Sequence, residues 1–553
     1  MRTGFGSSGF RRGAAVVAGL AALVGTQLSV GTAAAEPSST PAGLEEFYGQ
    51  KVSWAACDRP YATLECATIS VPLDYRAPDG ERIAVTISRK KAADQANRRG
   101  VLLLNPGGPG GSGLQWPDIL GKTPVGKVYD LIGFDPRGVG KSTALLCEVA
   151  PALVRLNTRP GDAELAGWAA DARASEAGCE RSAGGLRPHV NTPNTARDMD
   201  VIRGVLGEKK INYLGYSYGT YLGAVYGSLF PKNLHRSVLD SAVHPEWIWH
   251  EQFKQQAVAL RQNVDLWAGW VGQRNATFRL GKTQAEVLAT VEDLAAKLAK
   301  KPVGGFDRNS LDLVVGTGAR YRQLWDDLGY ILLDVKNSAT TDKPVPTPSD
   351  ALTAAGLIRE LGIAETRSGV FDTVTCEADW QRDLNGYYSD MKLFREKYPY
   401  GFGVLRAAPT TCTFRSFTPP ERPVDLKRDG YQTGLVIQAD GDTQTQYDGG
   451  PAMAERLRGH LISVADEGTH GFYGFGNACV NRHVERYLID GVLPPTRVTC
   501  AGEARPNVPA GLEAVDATAA TTQGLAVGAE RGSLADSVRQ YIAANRLMEK
   551  VAG

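Results

Sequence analysis

The sequence carries almost no net charge: 61 Lys and Arg stand against 60 Asp and Glu in 553 residues, a formal balance of +1. A protein whose main partner is a polyanion normally has a clear basic excess, so nucleic acid is not an expected partner. Also missing is any C-x-x-C pair, and no histidine stands at zinc-ligand spacing from two cysteines, so no metal site is expected. Beyond the N-terminal segment, no apolar run is long enough to cross a bilayer. The chain does not share the shortage of apolar residues that keeps a chain disordered: hydrophobic residues make up 43% and charged residues 22%. At roughly 100–200 residues per domain, the length suits two to four units, or one large domain with an insertion. Glycine is plentiful, with 63 residues and no collagen-like period, as suits the many tight turns of an α/β sheet protein.

The N-terminus has the marks of an export signal. Arg2, Arg11 and Arg12 give a basic start, an apolar run extends from Ala14 to about Val30, and Ala33-Ala34-Ala35 offers small residues for cleavage. Residues 1–35 are therefore expected to be removed, leaving a secreted, extracellular protein with no stable membrane anchor. The cysteines agree. There are eight, Cys57, Cys66, Cys147, Cys179, Cys376, Cys412, Cys479 and Cys500, and an even count in an exported chain favours disulfides over metal. Sequence alone does not fix their pairing. Nearest-neighbour pairing is the simplest choice, because each bridge then closes a short local loop.

Short apolar runs without alternation occur at Val101–Leu104, Tyr129–Phe134, Ile211–Leu214, Ser237–Leu239, Leu435–Ile437 and Leu461–Val464. Such runs suit strands buried on both faces of a mostly parallel sheet. Helical patterns fall between them, as from Thr195 to Leu206, where Met199, Ile202 and Leu206 recur at helical spacing. The alternation predicts an α/β fold. It is interrupted by a mostly helical stretch, which begins its apolar stripe Val287, Leu288, Val291, Leu294 and Leu298 with the capping box Thr283 to Glu286. Arg320–Val335 and Ala351–Leu361 also read as helices. The expected organisation is a core over 36–244, a helical cap over 245–424, a second part of the core over 425–500, and a linker with a short helix, Ser533–Lys550, over 501–553.

The strongest chemical signal is Gly215-Tyr216-Ser217-Tyr218-Gly219, which follows a predicted strand and precedes a predicted helix, Thr220–Leu229. That context marks a nucleophile elbow, a sharp turn that needs small flanking residues and projects the Ser217 hydroxyl. Serine needs a base, and in this fold the acid and then the histidine follow the serine in the chain. His470 lies in a loop after the last predicted strand. The acid should follow Leu435–Ile437, where both Asp440 and Asp442 qualify by position; Asp240, after an earlier strand, is a more distant choice. Tyr218 N–H, next to the nucleophile, is one expected oxyanion donor, and the second should come from Asn105–Gly113. That glycine-rich loop lacks the G-K-[ST] ending of a phosphate cradle.

Three stretches, Asn105–Gly113, Gly133–Gly138 and Tyr213–Thr220, together resemble secreted actinomycete tripeptidyl aminopeptidases, which are α/β-hydrolases related to proline iminopeptidases. The likeness continues through Asn191–Asp198, Asp442–Gln446, Gly468–Gly471, Cys479, Tyr487-Leu488, Gly491 and Cys500. It implies an α/β-hydrolase fold with the cap inserted between core strands, and a serine exopeptidase that removes tripeptides from the free N-termini of peptides or proteins. The family's acid sits in an Asp-x-x-Thr-Pro pattern. Asp442 occupies that place, with Gln446 where the proline would be, so Asp442 is preferred to Asp440. The resemblance also implies Gly108 as the second oxyanion donor and the pairs Cys57–Cys66, Cys147–Cys179, Cys376–Cys412 and Cys479–Cys500. No cofactor is needed, and a monomer is expected. A secreted carboxylesterase with the same triad is the alternative. An aminopeptidase must also recognise an α-ammonium, for which Glu377 and Asp379, beside Cys376, are candidates. Trp247, Trp249, Tyr321 and Trp325 are candidates for lining a peptide cleft, or else cap core.

Overall fold

The computed structural model describes residues 41–148, 157–303, 306–341 and 366–512. The export segment 1–35 and the helices expected at Ala351–Leu361 and Ser533–Lys550 lie outside these residues. The strands, in chain order, are β1 (Ala55–Ala56), β2 (Glu65–Pro72), β3 (Arg82–Lys90), β4 (Val101–Asn105), β5 (Asp130–Phe134), β6 (Leu146–Glu148), β7 (Ile211–Tyr216), β8 (Leu234–Asp240), β9 (Thr366–Ser368), β10 (Leu435–Ala439), β11 (His460–Ala465) and β12 (Arg497–Ala501). Ten of them form one sheet in the order β1-β2-β3-β5-β4-β7-β8-β10-β11-β12, while β6 and β9 pair separately. From β5 to β12 every pairing in the large sheet is parallel.

Strands β4, β5, β7 and β10 are buried along their whole length, because helices cover both faces. The alternation of side chains across a strand divides them between two cores. Val101 and Leu103 of β4 face a layer with Met199, Ile202, Leu222 and Val225. Leu102 and Leu104 face the opposite layer with Trp116, Leu120, Val480 and Val484. The antiparallel edge β1–β3 is absent from the sequence expectation. Its signal is a period of two in the apolar residues: Ala67, Ile69 and Val71, then Ile83, Val85 and Ile87, are buried, with Pro72, Thr86 and Ser88 buried besides them.

The helical segment leaves the sheet after β8 and returns before β10. Those two strands are nevertheless hydrogen-bonded neighbours, with Asp240 opposite Ile437. Helices His250–Gly272, Gln284–Lys300, Arg308–Arg320 and Trp325–Thr341 pack around Trp267, Trp270, Val291, Leu311 and Trp325, and they share one compact unit with the sheet. Thr283 caps its helix by accepting from Glu286 N–H at 3.2 Å. The helix expected over Arg320–Val335 is broken instead. Tyr321 has extended backbone, and Arg320 turns its guanidinium out of the helix line to donate to Gly468 O at 2.9 Å. The tail beyond Cys500, expected as a linker, is tied to these helices as far as Leu512. Gly511 N–H donates to Gln273 O, and Ala276 N–H donates to Gly511 O, both at 2.9 Å.

A fully buried ion pair fixes the loop after β5 to the helix Thr192–Val205. Arg137 donates to both Asp198 oxygens, at 2.7 and 2.6 Å, and to the carbonyls of Pro72, Leu73 and His189 at 2.9–3.1 Å. All five guanidinium donors are thereby satisfied.

Disulfides join Cys57 to Cys66, Cys147 to Cys179, Cys376 to Cys412 and Cys479 to Cys500, with sequence separations of 9, 32, 36 and 21. Loops of these lengths stabilise through the unfolded chain by about 2–4 kcal/mol each. Full reduction is therefore expected to lower Tm sharply. Peptide mapping of exported protein should find these four pairs, and alkylation after unfolding without reductant should find no free thiol. Several reactive thiols in the exported protein would contradict this.

Candidate active site

The chain turns from β7 into the helix Tyr218–Leu229 at Ser217, whose φ is 56° and ψ −128°. A positive φ is costly for a residue with a Cβ, so the surroundings must hold it. Ser217 N–H donates to Asp240 O at 3.0 Å, and Ser217 O accepts from Thr220 N–H at 2.9 Å and from its hydroxyl at 2.6 Å. The flanking glycine is required by space: a Cβ on Gly215 would lie 2.4 Å from Gly219 O. Ser217 itself is partly exposed.

Asp442 and His470 come together from loops after β10 and β11. His470 Nδ1 lies 2.7 Å from Asp442 Oδ2. Asp442 also accepts from Gln444 N–H at 2.8 Å and from the Thr445 hydroxyl at 3.0 Å. Burial pushes its carboxyl up, but the His470 imidazole, the Arg320 charge and the Gln444 N–H together bring it below the usual carboxylate range. The ionised carboxylate assigns the imidazole proton to Nδ1 and leaves Nε2 able to accept one.

The other two aspartates considered from sequence do not bond the imidazole. Asp440 accepts from Asp466 and Glu467 N–H at 2.7 and 3.0 Å, closing the turn from β11. Glu467, which sequence reasoning did not single out, is 2% exposed and accepts from the N–H groups of Gly468 and Thr469, both at 2.8 Å. Asp240, at the end of β8, accepts from Phe472 and Tyr473 N–H. Among the described residues, no hydrogen bond joins Ser217 Oγ to His470.

Tyr218 begins its helix, so its N–H has no carbonyl partner within the helix. The loop Asn105–Gly113 passes close by. A Cβ on Gly107 would lie 2.5 Å from Tyr216 O and 2.8 Å from Ser217 Cβ, and its φ of 99° also favours glycine. Gly108, the next residue, likewise has a positive φ, 109°. The loop is held by Asn105 Oδ1, which accepts from Gly107 N–H at 3.0 Å, and by Ser112, which donates to Asp135 at 2.5 Å.

Residues 100–334 match the model of the α/β-hydrolase fold, and residues 398–500 match that of TAP-like proteins. The chain is 35% identical over 486 residues to a tripeptidyl aminopeptidase of Streptomyces lividans, covering 82% of this chain and 88% of that one. The chain belongs to the tripeptidyl aminopeptidase family of α/β-hydrolases. It is also 30% identical to a serine protease of Mycobacterium tuberculosis, over 82% of this chain and 92% of that one. A carboxylesterase B of the same organism is again 30% identical, over 81% and 90%.

In this member of the tripeptidyl aminopeptidase family, Gln446, which stands where the family pattern has proline, ties the acid loop to the cap. Its Oε1 accepts from Gln252 Nε2 at 2.6 Å, and Gln252 and Gln256 both donate to Gln444 O. The two carboxylates flanking Ala378 are not equivalent. Asp379 is exposed. Glu377 is 6% exposed, and its oxygens accept from Thr192 N–H and hydroxyl, each at 2.7 Å. The Thr192 hydroxyl in turn meets Tyr218 OH at 2.8 Å. Burial pushes the Glu377 carboxyl up to about 7 against the pull of those Thr192 donors. Of the cap aromatics, Trp325 is cap core and Tyr321 is largely buried. Trp249 is buried against Tyr218 and Tyr221, and the partly exposed Trp247 stacks on His244 at 4.0 Å. Cys479, His483 and Cys500 lie within 4.8 Å of one another, but the two sulfurs are bonded to each other, which leaves no thiolate to bind a cation. Among the described residues, no helix is long and apolar enough to cross a membrane.

Proposed function

We propose that the chain is a secreted serine exopeptidase that releases tripeptides from the free N-termini of peptides or proteins through an acyl-enzyme on Ser217. The observation that carries this reading is the 2.7 Å contact of His470 Nδ1 with a buried Asp442, beside a serine held at φ 56° in a strand–helix turn, in a chain of this family. His470 Nε2 takes the Ser217 proton as Oγ attacks the scissile carbonyl. Tyr218 and Gly108 N–H receive the oxyanion. His470 then protonates the leaving amine, and afterwards activates the water that frees the tripeptide and restores Ser217. Asp442 holds the tautomer and stabilises the imidazolium throughout. The organisation goes with it: a core over 36–244 and 425–500, a helical cap over 245–424, and an export signal over 1–35.

The free N-terminus is recognised in this reading by Glu377 rather than Asp379. A carboxylate has about four lone-pair sites; Thr192 uses two, and an arriving ammonium would draw the raised pKa of Glu377 down by favouring its charged form. A charge-assisted contact is worth about 1.5–3 kcal/mol. Acetylating the amine of a tripeptide anilide is therefore expected to lower kcat/KM by at least about tenfold. Glu377→Gln should erase much of that discrimination, and Asp379→Asn should leave it. Small activated esters, which need Ser217 but no amine contact, should be spared in both variants. The name of one relative favours the carboxylesterase alternative. Equal rates on free and acetylated anilides, with faster turnover of an aliphatic ester, would replace the peptidase reading with that one.

A further inference from the structure

Ser217 and His470 arise from distant parts of the chain, and one strand end holds the main chain at Ser217 and directly after His470. Asp240 ends β8, Ser241 follows it, and both are fully buried. The Asp240 carbonyl accepts from Ser217 N–H at 3.0 Å. The Asp240 carboxylate accepts from Tyr473 N–H at 2.8 Å through Oδ2, and from Phe472 N–H at 3.0 Å through Oδ2 and 3.2 Å through Oδ1. The Ser241 hydroxyl accepts from Gly471 N–H at 2.8 Å. Three consecutive N–H groups directly after His470 are therefore held by two adjacent side chains, and the carbonyl of one of them, Asp240, holds the elbow. Ser241 has a φ of 59°, a conformation unfavourable for a residue with a Cβ, and its N–H is fixed by Ile437 O at 2.9 Å.

We propose that Asp240 and Ser241 are positioning residues that set the separation and angle between Ser217 Oγ and the His470 imidazole. The proposal rests on the roles given above to Ser217 and His470. Three main-chain anchors differ from one in what they restrict. The Asp442 contact alone fixes one nitrogen of the ring, about which the ring can still swing. Anchoring Gly471, Phe472 and Tyr473 fixes the backbone that carries the ring, so its second nitrogen has one approach to the serine. Near-attack geometry is steep in distance, and a displacement of about 1 Å can cost about a hundredfold in rate.

The substitutions separate this role from others. Asp240→Ala removes both acceptors, and kcat per active site is expected to fall at least tenfold, with KM little changed, on tripeptide anilides and activated esters alike. Asp240→Asn retains an oxygen that, placed at Oδ2, serves both N–H groups, so it should recover to within about threefold of the unmodified enzyme. Ser241→Gly relieves the backbone while deleting the Gly471 anchor, and should lower kcat three- to tenfold. Each kcat is divided by the number of sites titrated with a fluorophosphonate, which counts reactive serines. Loss of protein or of Tm alone leaves that quotient unchanged. The low-field proton resonance of the Asp442–His470 pair should persist in Asp240→Asn and Ser241→Gly. An unchanged quotient in Asp240→Ala overturns the proposal. If that variant does not fold, an unchanged quotient in Ser241→Gly does so. Inactivity of Asp240→Asn would instead make Asp240 the triad acid and overturn it too. Failure of the fluorophosphonate to label Ser217 in the unmodified enzyme would mark failure of the underlying serine mechanism instead.

Discussion

Ser217→Ala and His470→Ala are each expected to lower kcat by about five to six orders of magnitude, because members of such a triad act as a unit. Both side chains lie at the edge of the protein interior, Ser217 partly exposed and His470 10% exposed, so the Tm of each variant should stay close to that of the parent. Asp442→Asn should lose about four orders of magnitude. The amide would present N–H to Nδ1 or favour the wrong tautomer, while Gln444 and Thr445 continue to hold the loop. Asp440→Asn should stay within about tenfold, since the amide oxygen still accepts one of the two turn N–H groups, of Asp466 or Glu467, and the imidazole contact is untouched. Kinetics normalised to phosphonate-titrated sites for the two aspartates, and direct turnover for the other two variants, measure this. A dead Asp440→Asn beside an active Asp442→Asn would transfer the acid role to Asp440.

The largest single effect on stability is expected from the Arg137–Asp198 pair. Both side chains have no exposure, so deleting one strands the other's charge in the interior. Asp198→Ala or Arg137→Ala should cost about 3–5 kcal/mol. The arginine variant also leaves the Pro72, Leu73 and His189 carbonyls without a donor. Replacing both partners with apolar residues of similar volume, Arg137→Met with Asp198→Leu, should recover a large part of the loss. Denaturant unfolding of the four proteins gives the coupling. Single variants within 1 kcal/mol of the parent would mean that the pair is dispensable.

Different parts of the fold were legible for different reasons. Apolar runs at Val101–Leu104 and Ile211–Leu214 announced doubly covered strands because burial on both faces removes alternation. Gly215 and Gly219 announced the elbow because no side chain fits there. The choice between Asp440 and Asp442 was not readable from position. Two residues apart on one loop, they differ in whether the carboxylate meets an imidazole or two main-chain N–H groups beyond β11. From sequence Asp240, after an earlier strand, is only a distant choice of acid; the work its side chain does leaves no local signal, since its partners lie 232 and 233 residues later. Arg137 and Asp198 fell inside recurrent motifs whose chemistry pointed to nothing, since their work is mutual and the two lie 61 residues apart. The break at Tyr321 escaped a periodic reading because the side chain of Arg320, the last residue of its helix, is spent on a carbonyl 148 residues away, which leaves no local signal.

The seam between β8 and β10 also divides the catalytic set along the chain. Ser217, Asp240 and the glycine-rich loop are all translated before the cap; Asp442 and His470 emerge only after it. Ser241 and Gly471, which meet across that seam, are 230 residues apart. A chain cut after β8 would therefore carry the serine without its base. The base comes only with the later strands, and in a flexible chain closing so long a connection costs only slightly more for each added residue, about 0.6 kcal/mol per doubling. The same logarithm leaves the intervening segment free to grow or shrink over evolution while the seam stays where it is, so new surfaces above the reactive serine can arise with little penalty to assembly.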